Sequence, residues 1–114
     1  MKFGDRLREL RKEKNLSQRE LADKVHINFT YLSKLENNKM PPPSQKTIVE
    51  LAKTLDANEE ELILLAKKVP NSFKSMITEK AHVPEFLRTA RNHNLSEEEW
   101  EELIKYIKER KKKK

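Results

Sequence analysis

Cysteine is absent, glycine occurs once, as Gly4, and aromatic residues make up only 6% of the 114 residues. Without cysteine there is no disulfide framework. A single glycine rules out a Gly-rich phosphate loop. The longest unbroken apolar run, Leu62–Ala66, is far too short to cross a bilayer, and Met1–Arg6 holds no apolar signal core, so a cytoplasmic protein is expected. Stretches rich in Val, Ile and Thr between glycine turns are also missing, so the 35% hydrophobic content must be concentrated on helical stripes, and an all-α protein follows. The three histidines, His26, His82 and His93, are scattered without ligand spacing, and no Ser and His arrangement suggests a triad. The expectation is therefore no metal, no cofactor and no catalysis: the chain is not an enzyme.

What is present is charge, at 39% of residues, with a net +6 of which Lys111–Lys114 supply four. The remainder is nearly balanced, so any affinity for nucleic acid depends on where the cations sit. Phe3, Leu7 and Leu10 recur at helical spacing and predict a first helix over about residues 3–14, with Asn15 as its stop. Ser17-Gln18-Arg19-Glu20 has the S-x-x-E form of a capping box and starts a second helix that buries Leu21, Ala22 and Val25. His26 and Ile27 interrupt the pattern, and Asn28 caps a third helix running to about Asn37. So short a connection between two brief helices forces a sharp angle, as in a helix-turn-helix. Pro41–Pro43 make a stiff loop; Ser44 caps a fourth helix carrying Ile48, Leu51, Ala52 and Leu55; Asn58 with Glu61 caps a fifth carrying Leu62, Leu65, Ala66 and Val69.

On the third helix, Leu32 and Leu35 face one side while Thr30, Ser33, Lys34 and Asn37 face the other. Other surface helices of this chain carry dense Glu and Lys, so a polar face with Lys34 as its one charge calls for a reason. Short hydrogen-bonding side chains suit base edges in a major groove, where carboxylates would be repelled by phosphate, and Phe29 borders the face where it could meet a thymine methyl.

Residues 3–66 resemble the XRE family, the Cro and lambda-repressor-like helix-turn-helix domains. The resemblance lies in Leu16-Ser17-Gln18-Arg19-Glu20-Leu21-Ala22, in Tyr31-Leu32-Ser33-Lys34-Leu35-Glu36-Asn37, and in the later Ile48-x-x-Leu51-Ala52-x-x-Leu55. It implies a five-helix domain whose third helix enters the major groove of double-stranded DNA. By position, Phe29, Thr30, Ser33 and Lys34 would meet bases, Gln18 would bond a phosphate and brace the reader, and Ser17, Asn37 and Lys39 would meet the backbone. Tyr31 either sets its hydroxyl on a phosphate or packs half-buried. Arg11 and Glu36 fall where the family has an interhelical ion pair. The chain departs from the family pattern twice, with His26 in the turn and Asn38 after helix three where glycine is usual. Asn accepts left-handed backbone readily, whereas His adds strain.

A boundary is expected after residue 69. Residues 70–83 read as a polar, aperiodic linker, and residues 84–114 as a helical segment with a basic tail. There Pro84 opens a short helix with Phe86, Leu87 and Ala90, and a second capping box, Ser96 with Glu99, starts a last helix presenting Trp100, Leu103, Ile104 and Ile107. This αα-hairpin is too small to hold a core alone. Its stripe either packs intramolecularly or forms a dimer interface, and the dimer is preferred because short recognition helices bind usefully in pairs. The expected function is thus a sequence-specific transcriptional regulator, a dimeric repressor reading a two-fold operator. The alternative is an antitoxin or a bridging coactivator whose main role is to bind a partner protein. A reader domain followed by a helical segment also looks like repressors paired with a regulatory zinc metallopeptidase, which would add that enzyme, or a toxin, to the partners.

Overall fold

The computed structural model describes residues 1–112, so the last two lysines of the expected basic tail, Lys113 and Lys114, lie outside the described residues. The described residues form eight helices and no strand. The chain divides into two compact units, Met1–Asn71 and Ser72–Lys114.

The first unit contains α1 (Phe3–Glu13), α2 (Gln18–Lys24), α3 (Phe29–Glu36), α4 (Gln45–Leu55) and α5 (Glu59–Leu65). Their apolar stripes meet in one core, with Leu7, Leu21, Leu32, Ile48, Leu51 and Leu62 completely shielded from solvent. Each such side chain contributes about 1.5–3 kcal/mol, which is why these short helices hold together when none would persist alone. Side-chain caps set the starts. The Ser17 hydroxyl accepts from the Glu20 amide while the Glu20 carboxylate accepts from the Ser17 amide; Asn28 caps α3, Ser44 caps α4 and Asn58 caps α5.

The helix ends are built from left-handed residues, none of them glycine. Asn15, His26, Asn38, Asp56 and Lys67 have φ between 51° and 63°, and one follows each helix of the unit. After each, the next amide reaches back to a carbonyl of the last turn, as in Leu16 to Arg11, Ile27 to Ala22 and Lys39 to Lys34. These are Schellman endings, and Leu16, Ile27 and Ala57 complete three of them by packing against the core. A left-handed side-chain-bearing residue costs roughly 1–2 kcal/mol unless its side chain compensates. Asn38 compensates: its Oδ1 accepts from the Gly4 amide at 3.0 Å and its Nδ2 donates to Asp5 at 3.0 Å. His26 is exposed, with φ of 58°. His26→Gly is therefore expected to raise stability by about 1 kcal/mol, with part of the relief offset by the freer unfolded chain. Urea melting checks this, and Asn38→Gly, which also discards two hydrogen bonds, should show no such gain.

Gly4 sits where α1 meets the end of α3. A Cβ there would lie 2.2 Å from the Leu35 carbonyl oxygen and 2.5 Å from Asn38 Oδ1, so the close approach requires the one residue without a side chain.

The second unit contains α6 (Asn71–Glu79) from its second residue on, α7 (His82–His93) and α8 (Glu97–Lys112). Helix α6 occupies most of the stretch expected to be an irregular linker. Phe73, Met76 and Ile77 do stand at i, i+3 and i+4, a stripe too short to register against its polar neighbours, and all three remain exposed. Helix α7 also begins earlier than expected, with Pro84 as its third residue. That position still lies in the first turn, where backbone amides have no intrahelical acceptor, so proline costs nothing there. The Ser96–Glu99 capping box is present in both directions, and Asn94, left-handed, turns the chain from α7 to α8.

Candidate nucleic-acid interface

Helix α3 is fixed from below by its buried side. The Glu36 side chain has no solvent exposure, and Arg11 clasps it with two bonds, Nε to Oε2 at 2.7 Å and Nη2 to Oε1 at 2.9 Å. The third arm of Arg11 donates to the Leu16 carbonyl at 2.8 Å, which joins the α1–α2 turn to the same cluster. Gln18 Nε2 donates to Glu36 Oε1 at 3.0 Å, and Arg8 approaches the same oxygen at 4.0 Å. Among the described residues no buried side-chain polar atom lacks a partner. A carboxylate removed from water thus keeps its bonds, and α1, α2 and α3 are locked at one angle.

The side of α3 away from this cluster is polar. Thr30, Lys34 and Asn37 are exposed, Ser33 is half-buried, and Leu32, Leu35 and Glu36 face inward. At 100° per residue, Phe29, Ser33, Asn37, Thr30 and Lys34 fall within an arc of about 140°. Asn28 binds the Thr30 and Tyr31 amides at 2.7 and 3.3 Å and so holds the first turn in place. Lys39, just past the helix, is exposed.

Several expected residues are engaged in ways that spacing alone does not reveal. Tyr31 is half-buried and packs against the core. Gln18 turns inward to Glu36, which leaves one of its two amide hydrogens for an outside acceptor. Asn37 returns its Nδ2 to the Ser33 carbonyl at 2.9 Å. The Ser17 hydroxyl is occupied as an acceptor in the α2 cap but can still donate. Its partner Glu20 is held below the ordinary carboxylate range, first by the Ser17 amide and then by the Ser17 hydroxyl. This cap is therefore intact above the ordinary carboxylate pKa and is lost as pH falls through the lowered value of the folded chain. One contact was not anticipated: the Arg19 guanidinium lies over the Phe29 ring, 4.5 Å from its centroid.

Residues 7–62, the span that holds these elements, match the family model described as helix-turn-helix. The transcriptional repressor RghR of Bacillus subtilis (strain 168) is 31% identical over 111 residues, covering 90% of this chain and 80% of RghR. The chain belongs to the XRE-type helix-turn-helix family. Two solved structures of SinR extend the likeness. The crystal structure of SinR, the master regulator for biofilm formation, in complex with DNA shares 34% identity at a TM-score of 0.51, covering 54% of this chain and 97% of that one. The SinR–SinI protein complex shares 27% identity at a TM-score of 0.54, covering 96% and 98%. The XRE-type core thus accounts for α1 to α5, and the second likeness continues across α6 to α8.

The four residues expected at a dimer contact fall into two groups. Trp100 is half-buried and meets Phe86 of α7 edge to face, at 6.4 Å between centroids and 70° between planes, and Leu103 is also half-buried. Ile104 and Ile107 are 52% and 58% exposed. Among the described residues no helix is long and apolar enough to cross a membrane.

Proposed function

We propose that this XRE-type protein is a transcriptional repressor that acts in the cytoplasm, binds a two-fold DNA operator as a homodimer, and places α3 in the major groove. Binding, not catalysis, is its work. The observation that carries this reading is the pairing of a polar, carboxylate-free outer face on α3 with a buried Arg11–Glu36–Gln18 cluster beneath it. A reader must be rigid before it meets its site, because contacts to base edges lose their discrimination when the helix can tilt. Thr30, Ser33 and Lys34 are the base-contacting side chains, while Ser17, Gln18, Asn37 and Lys39 reach the backbone. That RghR is a repressor and that SinR is known in complex with DNA support the same reading.

The second unit supplies self-association. Ile104 and Ile107 leave apolar surface open on α8, and Trp100, braced by Phe86, gives that surface a stiff base. A partner protein on the same surface is the second reading, favoured by the likeness over nearly the whole chain to SinR in its complex with SinI.

Selection of duplexes from a random pool tests the proposal directly. A two-fold motif is expected. Lys34→Ala and Thr30→Ala should each lose discrimination at one or two positions of that motif, by about 1–3 kcal/mol per contact, in a binding titration. A Lys34→Ala protein with unchanged preference and affinity would overturn the assignment of α3 as reader.

A further inference from the structure

We propose that Arg19 is a phosphate-contacting residue of the DNA interface, and that Phe29 is the platform that positions it rather than a reader of bases. The inference rests on the DNA-reading function proposed above and adds residues to it. Arg19 lies one residue into α2, and its guanidinium stacks on the ring of Phe29, the first residue of α3. Stacking occupies the flat face of a guanidinium and leaves its N–H groups pointing outward in the plane, free to bond.

Those N–H groups are unclaimed. Elsewhere in the first unit Arg6 is held by Glu9 and Glu61, and Arg11 by Glu36. Among the described residues Arg19 forms no ion pair and donates no hydrogen bond, although two acidic residues, Glu20 and Asp23, follow it closely in sequence. Glu20 is committed to the Ser17 amide, and Asp23, one turn along α2, is not engaged by Arg19. The aromatic ring has drawn the cation toward α3 and away from its own helix.

Position then selects the ligand. In a helix-turn-helix the first helix of the pair crosses the phosphate backbone while the second enters the groove. Gln18, the residue beside it, turns inward to Glu36, so Arg19 is the outward cation at this point of α2. An Arg fork matches the oxygens of a phosphate group bidentately. A long side chain usually gives up rotamer freedom when it binds, and the stack on Phe29 has already removed much of it. The same stack accounts for a phenylalanine left 37% exposed beside a polar reader, with one ring face covered by the guanidinium.

The test uses the full chain and its Arg19→Ala, Arg19→Lys, Phe29→Leu and doubly substituted variants. Each is titrated between about 50 and 200 mM salt against the duplex that wild type selects from a random pool and against a scrambled duplex of equal length. Arg19→Ala should weaken both duplexes alike, by about tenfold, and reduce the slope of log affinity against log salt by about one per reader domain. Arg19→Lys should keep the slope. Phe29→Leu should weaken both duplexes with the slope unchanged, and the double variant should bind no more weakly than Arg19→Ala alone. In the free protein the Arg19 Nε–H resonance should move when the ring is removed; a resonance that stays put shows there is no stack and overturns the pairing. An unaltered slope in Arg19→Ala overturns the phosphate contact. Replacing thymines by uracils gives the third check, because a thymine preference that disappears in Phe29→Leu makes Phe29 a base reader and ends its role as platform. If Lys34→Ala loses discrimination while the Arg19 and Phe29 variants behave as wild type, only the present inference falls. If wild type selects no sequence and binds neither duplex, the DNA-reading function falls with it.

Discussion

Glu36→Ala should lower folding stability by about 3–5 kcal/mol in urea melting, a large share of the 5–15 kcal/mol typical of a folded protein. The substitution strands the Arg11 guanidinium, which is buried and aimed at the lost carboxylate through two of its three arms, and it removes the acceptor of Gln18 Nε2. A buried charge without its partner is the expensive state, so Arg11→Met should also cost several kcal/mol by leaving Glu36 with Gln18 and the distant Arg8. Arg11→Met combined with Glu36→Leu should cost less than either change alone. Additive single effects in that double-mutant cycle would show that the two side chains are solvated in solution. Because Glu36 ends α3, the single variants should also loosen the reader, and their DNA affinity should fall further than their folded fraction accounts for.

Ending the chain at Asn71 should give a folded monomer that binds a two-fold operator at least about a hundredfold more weakly than the full protein, with the same half-site preference. The stripes and caps of α1 to α5 close on one another without help from the second unit, and keeping Pro70, which is buried, avoids trimming that unit. The cooperative melt should therefore survive. What disappears is the exposed apolar surface of α8, and with it, for the proposed dimer, the link that would make the second half-site's contact intramolecular. Sedimentation decides: a truncated chain that remains a dimer moves the interface into the first unit.

The five helices of the first unit were legible because each carries a stripe, and because four of them open on a side-chain cap: Ser17 with Glu20, Asn28, Ser44 and Asn58 are local signals read within four residues. The buried side of α3 was legible for the same reason. Helix α6 was not, since Phe73, Met76 and Ile77 make a single short stripe and none of them is buried. The stack of Arg19 on Phe29, and the choice of Glu36 as the residue that Gln18 reaches, depend on the angle between α2 and α3. That angle is set by packing across the core and leaves no trace in local spacing. His26 and Asn38 show a middle case: the left-handed positions and the greater strain at His26 were legible from residue type, but the bonds of the Asn38 side chain to Gly4 and Asp5 were not.

The bond from the Gly4 amide to Asn38 Oδ1 has a consequence for hydrogen exchange. Amides in the first turn of a helix have no intrahelical acceptor and ordinarily trade their protons with water almost as an open chain does. Gly4 can do so only when the start of α1 parts from the end of α3. Its exchange rate is thus a clock for openings at the far end of α3, kept by a single backbone proton near the beginning of the chain.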